Sequence, residues 1–111
     1  MTTKIFKIAH NRGKPRVWIE GKFLLNAGLT RGMKFRRIMP EVDQSERDYP
    51  VQMTLRFDDL GNHTIAGSDT RPIIDLNGNY LYKIFTGFTH YQASIDMIYT
   101  TQLIHISGVE Q

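Results

Sequence analysis

Apolar and polar side chains alternate along several short stretches of this chain, as expected of strands with one buried face. The clearest is 51–57, where Val51, Met53, Leu55 and Phe57 alternate with polar residues. Similar stretches predict further strands at 4–9, 16–19, 34–39, 63–66, 73–76, 95–99 and 103–106. The pattern therefore predicts an α+β protein that is mostly β.

Two short helices and one long loop interrupt these strands. Helices are expected at 22–27 and 79–85, each followed by a glycine, Gly28 or Gly87, that can adopt the left-handed conformation of a helix cap. The segment 40–50 is acidic, polar and bracketed by prolines. We expect it to form an exposed loop or a mobile insertion.

One segment of the chain occurs twice, because 14–25 aligns with 71–82 without a gap at an offset of 57 residues. Three residue pairs are identical across the repeat: Pro15/Pro72, Gly21/Gly78 and Leu24/Leu81. An internal repeat indicates one supersecondary unit used twice. We therefore expect two β-α-β-β repeats, 1–67 with its acidic insertion at 40–50 and 68–111, interlocked in one compact domain as a pseudo-dimer.

The composition narrows the possible classes of protein. The chain has 111 residues, which suits one small domain, and it has no cysteine, which excludes disulfides and thiolate metal sites. The N-terminal residues do not resemble a signal peptide, and no apolar run approaches the length of a membrane span. The expected location is the cytoplasm, without a membrane partner.

Charge is distributed unevenly along the chain. Residues 1–37 carry ten basic side chains and one acidic one, whereas residues 38–111 carry four basic and ten acidic ones, which together give the net charge of +3. Such asymmetry points to nucleic acid or to an acidic partner. The alternative is that the two parts neutralise each other inside the fold.

A family resemblance is carried by about twenty contiguous residues. The matching pattern is Pro15-x-Val17-x-Ile19-x-Gly21-x-Phe23-Leu24-x-x-Ala27-Gly28-Leu29-x-x-Gly32. It resembles the signature of the SymE-like family, which belongs to the AbrB-like group of swapped-hairpin folds. The resemblance implies an interlaced barrel built from two units. AbrB-like proteins are mostly DNA binders that regulate transcription, often as antitoxins, and SymE-like members are small toxins that act on nucleic acid.

The best candidate nucleic-acid surface lies in the first repeat. Its predicted residues are Arg12, Lys14, Arg16, Trp18, Arg31, Lys34, Arg36 and Arg37. Clustered cations release counterions when they bind phosphates, arginine makes two parallel hydrogen bonds to phosphate, and an exposed tryptophan can stack on a base. The structural alternative for Trp18 is that it closes an open end of the barrel or packs under the acidic insertion.

The second repeat suggests a different class of function. It is rich in aromatic residues, most of them expected in the core, but Phe88 and Tyr91 follow the predicted helix and are candidate anchors for a protein partner. That alternative is a small inhibitor or accessory subunit of a DNA-handling or phage-defence complex. A SymE-like toxin is a further alternative.

No catalytic or metal-binding constellation stands out in the sequence, so no enzymatic activity, cofactor or metal is predicted. The leading hypothesis is a regulator that binds duplex DNA through its basic N-terminal repeat. A homodimer is possible.

Overall fold

Ten strands and two short helices make up the protein in the computed structural model, which describes residues 2–111. The strands are β1 (Thr2–Lys7), β2 (Ala9–Asn11), β3 (Lys14–Glu20), β4 (Lys34–Ile38), β5 (Gln52–Phe57), β6 (His63–Thr64), β7 (Ala66–Gly67), β8 (Pro72–Asn77), β9 (His90–Ile98) and β10 (Thr101–Val109). The helices are α1 (Lys22–Leu25) and α2 (Tyr82–Phe85), and 3-10 turns occupy Gln44–Glu46 and Asn79–Leu81. The predicted α+β class, mostly β, is confirmed.

The strands form two antiparallel sheets. The six-stranded sheet has the order β1-β9-β10-β5-β4-β6, and the four-stranded sheet has the order β2-β3-β8-β7. Each sheet contains strands from both halves of the chain. The expected closed barrel is not found in residues 2–111, because neither β1 and β6 nor β2 and β7 pair with each other, and both sheets stay open.

The repeated strands β3 and β8 pair with each other at the centre of the four-stranded sheet. Trp18 lies opposite Asp75, which is its own counterpart at the 57-residue offset. Each residue before Trp18 faces the counterpart of a residue equally far after it, so that Val17 faces Leu76, the counterpart of Ile19. The pairing therefore has the two-fold symmetry of a dimer, with the axis passing between Trp18 and Asp75.

The same symmetry extends to the ends of both sheets. Ala9 on β2 faces Arg16, and 57 residues later Ala66 on β7 faces Ile73. The chain crosses from the six-stranded to the four-stranded sheet between β1 and β2 and again between β6 and β7, and a buried isoleucine lies at each crossing. These residues are Ile8 before β2 and Ile65 before β7, and their positions also differ by 57. The duplication is thus wider in the structure than in the aligned sequence.

The core lies between the two sheets and is formed by alternate residues of their strands. On β5, Met53 and Leu55 are fully buried, and on β3 Val17 and Ile19 are fully buried, as the alternation predicts. Buried residues from both sheets form one continuous cluster. The polar side chains on the outer face of each sheet therefore point away from this shared core.

Repeated glycines allow the chain to leave β3 and β8 for the short helices. Gly21 has a φ of 76° and Gly78 a φ of 139°, values that residues with a Cβ rarely adopt. At the far end of α1, Gly28 has a φ of 76°, and the amide of Leu29 donates to the carbonyl of Leu24. The predicted glycine cap of the first helix is confirmed.

The acidic insertion is more ordered than the sequence suggested. The side chain of Gln44 is buried, donates to the carbonyl of Tyr49 at 3.0 Å and accepts from the amide of Val51 at 2.8 Å. Asp43 begins the 3-10 turn and accepts from the Ser45 amide at 3.0 Å. The turn packs against α2. The two hydrogen bonds of the buried Gln44 thus hold the loop together, while the carboxylates of the loop stay at the surface.

Candidate nucleic-acid interface

The eight predicted nucleic-acid residues do not form one surface. Lys14, Arg16 and Trp18 alternate with buried residues on β3, so they lie on the outer face of the four-stranded sheet. Lys34 and Arg36 flank the buried Phe35 on β4, so they lie on the outer face of the six-stranded sheet. The structure therefore divides the predicted residues between the outer faces of two different sheets.

Arg16 is neutralised inside the four-stranded sheet. Its Nε and Nη2 donate to the two carboxylate oxygens of Asp75 at 2.8 and 2.9 Å, and its guanidinium lies 4.5 Å from the centre of the Trp18 ring. The hydrogen bonds from Arg16 hold the pKa of Asp75 below its ordinary value. Trp18 is half-buried in this cluster, on the outer face of the four-stranded sheet.

Two further ion pairs neutralise arginines around this face of the four-stranded sheet. Arg71 makes two hydrogen bonds of 2.9 Å to Glu20 across the sheet, and the Nε of Arg31 lies 3.1 Å from Asp69. The hydrogen bonds from Arg71 lower the pKa of Glu20. Internal neutralisation, the alternative to a basic binding surface, therefore describes most arginines on this side.

Arg37 is held by aromatic neighbours instead of a carboxylate. Its guanidinium lies 3.7 Å from the centre of the Tyr80 ring, and its Nε donates to Nε2 of His63 at 3.2 Å. His63 stacks on Phe35 with the ring centres 5.2 Å apart. Burial, with the charge of Arg37 as a second cause, lowers the pKa of His63. The accepting Nε2 assigns the neutral ring with its proton on Nδ1.

Four of the predicted cations have no carboxylate partner among residues 2–111: Arg37, described above, and three exposed side chains. Arg12 and Lys14 are exposed at the turn between β2 and β3, where Arg12 has a positive φ of 55°. Lys34 is exposed at the start of β4. Lys14 shares its sheet face with Arg16, which Asp75 neutralises, whereas Lys34 shares its sheet face with Arg36.

A cluster of two arginines and one aspartate lies next to Lys34. Arg36 on β4 and Arg56 on β5 are direct register partners. Oδ2 of Asp58 lies 2.6 Å from Nη2 of Arg36 and 3.2 Å from Nε of Arg56. The hydrogen bonds from Arg36 keep the pKa of Asp58 low, so the carboxylate is ionised at neutral pH. One carboxylate thus stands between two guanidiniums, and Lys34 adds a third positive charge.

Arg56 was missed at the sequence level. Its place in the 51–57 alternation already put it on the polar face of β5, but it lies in the acidic part of the chain and was not considered with the N-terminal cations. Only the pairing of β4 with β5 across the insertion brings it beside Arg36.

The two predicted protein-binding aromatics are not exposed anchors. Tyr91 is 1% exposed, and its hydroxyl contacts the backbone amide and carbonyl of Trp18, so that prediction is wrong. The cause is that β9 begins at His90, which makes Tyr91 an inward residue of a strand. Phe88 is half-buried and packs over Gly108.

Residues 2–111 contain no group of three histidine or acidic side chains arranged to hold a metal ion, and none of their helices is long and apolar enough to cross a membrane. No protein-family model matches the chain, and no curated protein or solved structure does either. The resemblance to the SymE-like family therefore stays a prediction.

Proposed function

We propose that this protein binds duplex DNA, as a regulator, through the outer face of the six-stranded sheet. The observation that supports the proposal is the cluster in which Arg36 and Arg56 share the single carboxylate of Asp58 beside Lys34. Like charges on directly opposed strand residues repel each other, and a phosphate would relieve that repulsion. All four residues belong to the N-terminal repeat, as the leading hypothesis expected.

The exchange of strands between the repeats supports the finer proposal about the fold. Since β1 pairs with β9 and β3 pairs with β8, each half of the chain completes the sheets of the other half. We propose that the protein is a one-chain relative of the swapped-hairpin, AbrB-like architecture in an open form.

The shape of the face predicts how DNA would be contacted. Six strands spaced about 4.8 Å apart make a face about 24 Å wide, roughly twice the width of the major groove. Such a face crosses the phosphate backbone instead of entering the groove. Binding should therefore depend strongly on salt and only weakly on base sequence.

The test is the affinity for a short duplex at two salt concentrations, measured by fluorescence anisotropy. Each neutralised phosphate contributes about −0.9 to the slope of log K against log salt, so three cations predict about −2.7, or about 40-fold weaker binding after a fourfold rise in salt. The double variant Arg36→Gln/Arg56→Gln should bind weakly, with a slope of about −0.9.

A matched control removes the same charge from the other sheet. Lys14→Gln/Arg16→Gln also lowers the net charge by two but lies on the four-stranded sheet, so it should leave affinity and slope nearly unchanged. Salt-insensitive or absent binding by the wild type would refute DNA binding. Loss of binding in the control alone would move the site to the other face.

A further inference from the structure

An open cavity of about 480 Å³ lies on the outer face of the six-stranded sheet, beside Arg56. Its floor is formed by neighbouring residues of β5 and β10, chiefly Thr54, Leu103 and His105, and Ile38 and Ile98 stand at its margins. This volume falls in the range of about 300–1,000 Å³ that is typical of small-molecule sites.

Much of the lining is apolar and exposed to solvent. Ile38 is 47% exposed, Ile98 53% and Tyr99 95%, while Leu103 between them is 8% exposed. Large exposed apolar side chains that surround a depression mark a ligand site more often than scattered ones do. The cavity can therefore cover the apolar body of a ligand of about a dozen heavy atoms.

Arg56 gives this apolar site one cationic wall. Asp58 receives its two arginine hydrogen bonds from Arg36, at 3.1 and 2.6 Å. Arg56 is within ion-pair distance of the same oxygen, at 3.2 Å, but within residues 2–111 its guanidinium forms no hydrogen bond of good geometry. Its side chain is 47% exposed. The N–H groups of Arg56 are thus available for a second anion.

The histidine on the cavity floor is already engaged at both ring nitrogens. Nδ1 of His105 lies 3.0 Å from Oγ1 of Thr54 and 3.1 Å from Nε2 of Gln52, and Nε2 of His105 lies 3.4 Å from Asp96. Both neighbours of Nδ1 can donate, so that nitrogen accepts and the ring is held in place. Arg56, and not His105, is the group that would orient a charged ligand.

We propose that the cavity binds a small amphipathic carboxylate. The carboxylate lies on the guanidinium of Arg56 in the two-bond geometry that arginine favours, and the apolar body lies over Leu103 between Ile38 and Ile98. Arg56 also belongs to the proposed DNA face, so the ligand and DNA would compete for it. That competition rests on the proposed function, whereas the ligand site itself does not.

The direct test uses 4-phenylbutyrate as the probe and 4-phenylbutan-1-ol as its neutral match, each titrated into the whole protein by calorimetry and methyl NMR. A ligand of this size is expected to bind in the millimolar range. The carboxylate should bind about tenfold more tightly than the alcohol, because only it forms charge-assisted hydrogen bonds. Methyl shifts should concentrate at Ile98, Leu103 and Thr54.

Matched variants separate the site from general effects of charge and surface. Arg56→Gln should weaken 4-phenylbutyrate about tenfold, whereas Arg47→Gln, an exposed arginine of the insertion, should leave its affinity unchanged. Ile98→Ser should weaken it about fivefold, whereas Ile5→Ser, on the same sheet face outside the cavity, should not.

Three outcomes would overturn the site: no binding up to about 20 mM, equal affinity for the alcohol, or unchanged affinity in Arg56→Gln. A displacement assay then tests regulation, in which the probe should release bound duplex from the wild type. If no duplex binds in the absence of probe, the DNA proposal fails by itself, and the calorimetry still decides whether the ligand site exists.

Discussion

Truncating equivalent core leucines in the two repeats should destabilise the protein equally. Leu24 and Leu81 are identical residues at the 57-residue offset, and both are fully buried in the core. Changing either to alanine removes three carbons, which costs about 2.4 kcal/mol of transfer free energy, and the remaining cavity raises the cost to about 3 kcal/mol. That is a large part of the 5–15 kcal/mol stability of an ordinary domain.

The same change predicts a shift in melting temperature. The entropy of unfolding for 111 residues is about 0.23 kcal/mol per kelvin, so 3 kcal/mol corresponds to a decrease of about 13 °C. Calorimetry and urea titration of Leu24→Ala, Leu81→Ala and the wild type give both quantities. Leu60→Ala serves as the control, because Leu60 is 83% exposed and its loss should cost less than about 0.5 kcal/mol.

Unfolding should also remain a single transition in both variants. Each sheet contains strands from both repeats, so neither repeat can unfold without removing the strand partners of the other. Two separate transitions, or a cost below about 1 kcal/mol for only one of the leucines, would refute the structural equivalence of the repeats.

Three further perturbations test particular contacts. A double-mutant cycle with Arg16→Gln and Asp75→Asn, followed by urea titration, should give a coupling of about 1 kcal/mol that falls at high salt, and zero coupling would contradict the two-bond ion pair. Folding lowers the pKa of His63, so at acidic pH the unfolded state binds a proton on this histidine more readily than the folded state does. The free energy of unfolding should therefore be unaffected by His63 above its unfolded pKa of about 6.5. Below that pH it should fall, by at most about 1.4 kcal/mol per pH unit. His63→Phe should lose that part of the pH dependence, and an identical pH profile would refute it. Gly108→Ala should cost about 1–3 kcal/mol in thermal unfolding because a Cβ there would overlap the ring of Phe88, and the cost should disappear in a Phe88→Ala background.

Alternation carried most of the fold prediction. It predicted that Val17 and Ile19 lie on the buried face of β3, and it predicted the buried face of β5 in the same way, because successive side chains of a strand point to opposite faces of a sheet. The same signal is present at 90–95, where Tyr91 and Ala93 alternate with polar residues, and it favours a strand with a buried Tyr91 over an exposed anchor. The position of Tyr91 could therefore be predicted from the residues around it, without knowledge of any long-range contact.

The ion-pair partners of the charged residues could not be predicted from alternation in this way. Whether Arg36 meets Arg56 depends on the register of β4 and β5, and a long connection such as the segment 40–50 leaves that register open. The pairing of Arg16 with Asp75 depends on register in the same way. Two repeats that pair symmetrically bring some position opposite its own counterpart, but only the structure shows that this position is 18, with Arg16 diagonally beside Asp75.

Duplication within one chain explains why the axis of the molecule can carry opposite chemistry on its two sides. In a dimer of identical chains with the register of β3 and β8, the residue at position 18 would face its own copy, and a carboxylate there would face a carboxylate. A single chain removes that constraint, so Trp18 can face Asp75, and the carboxylate can neutralise Arg16. The positive and negative charges beside the two-fold axis of the four-stranded sheet therefore neutralise each other. The excess positive charge of Arg36, Arg56 and Lys34 lies on the other sheet, where we propose that an anionic partner binds.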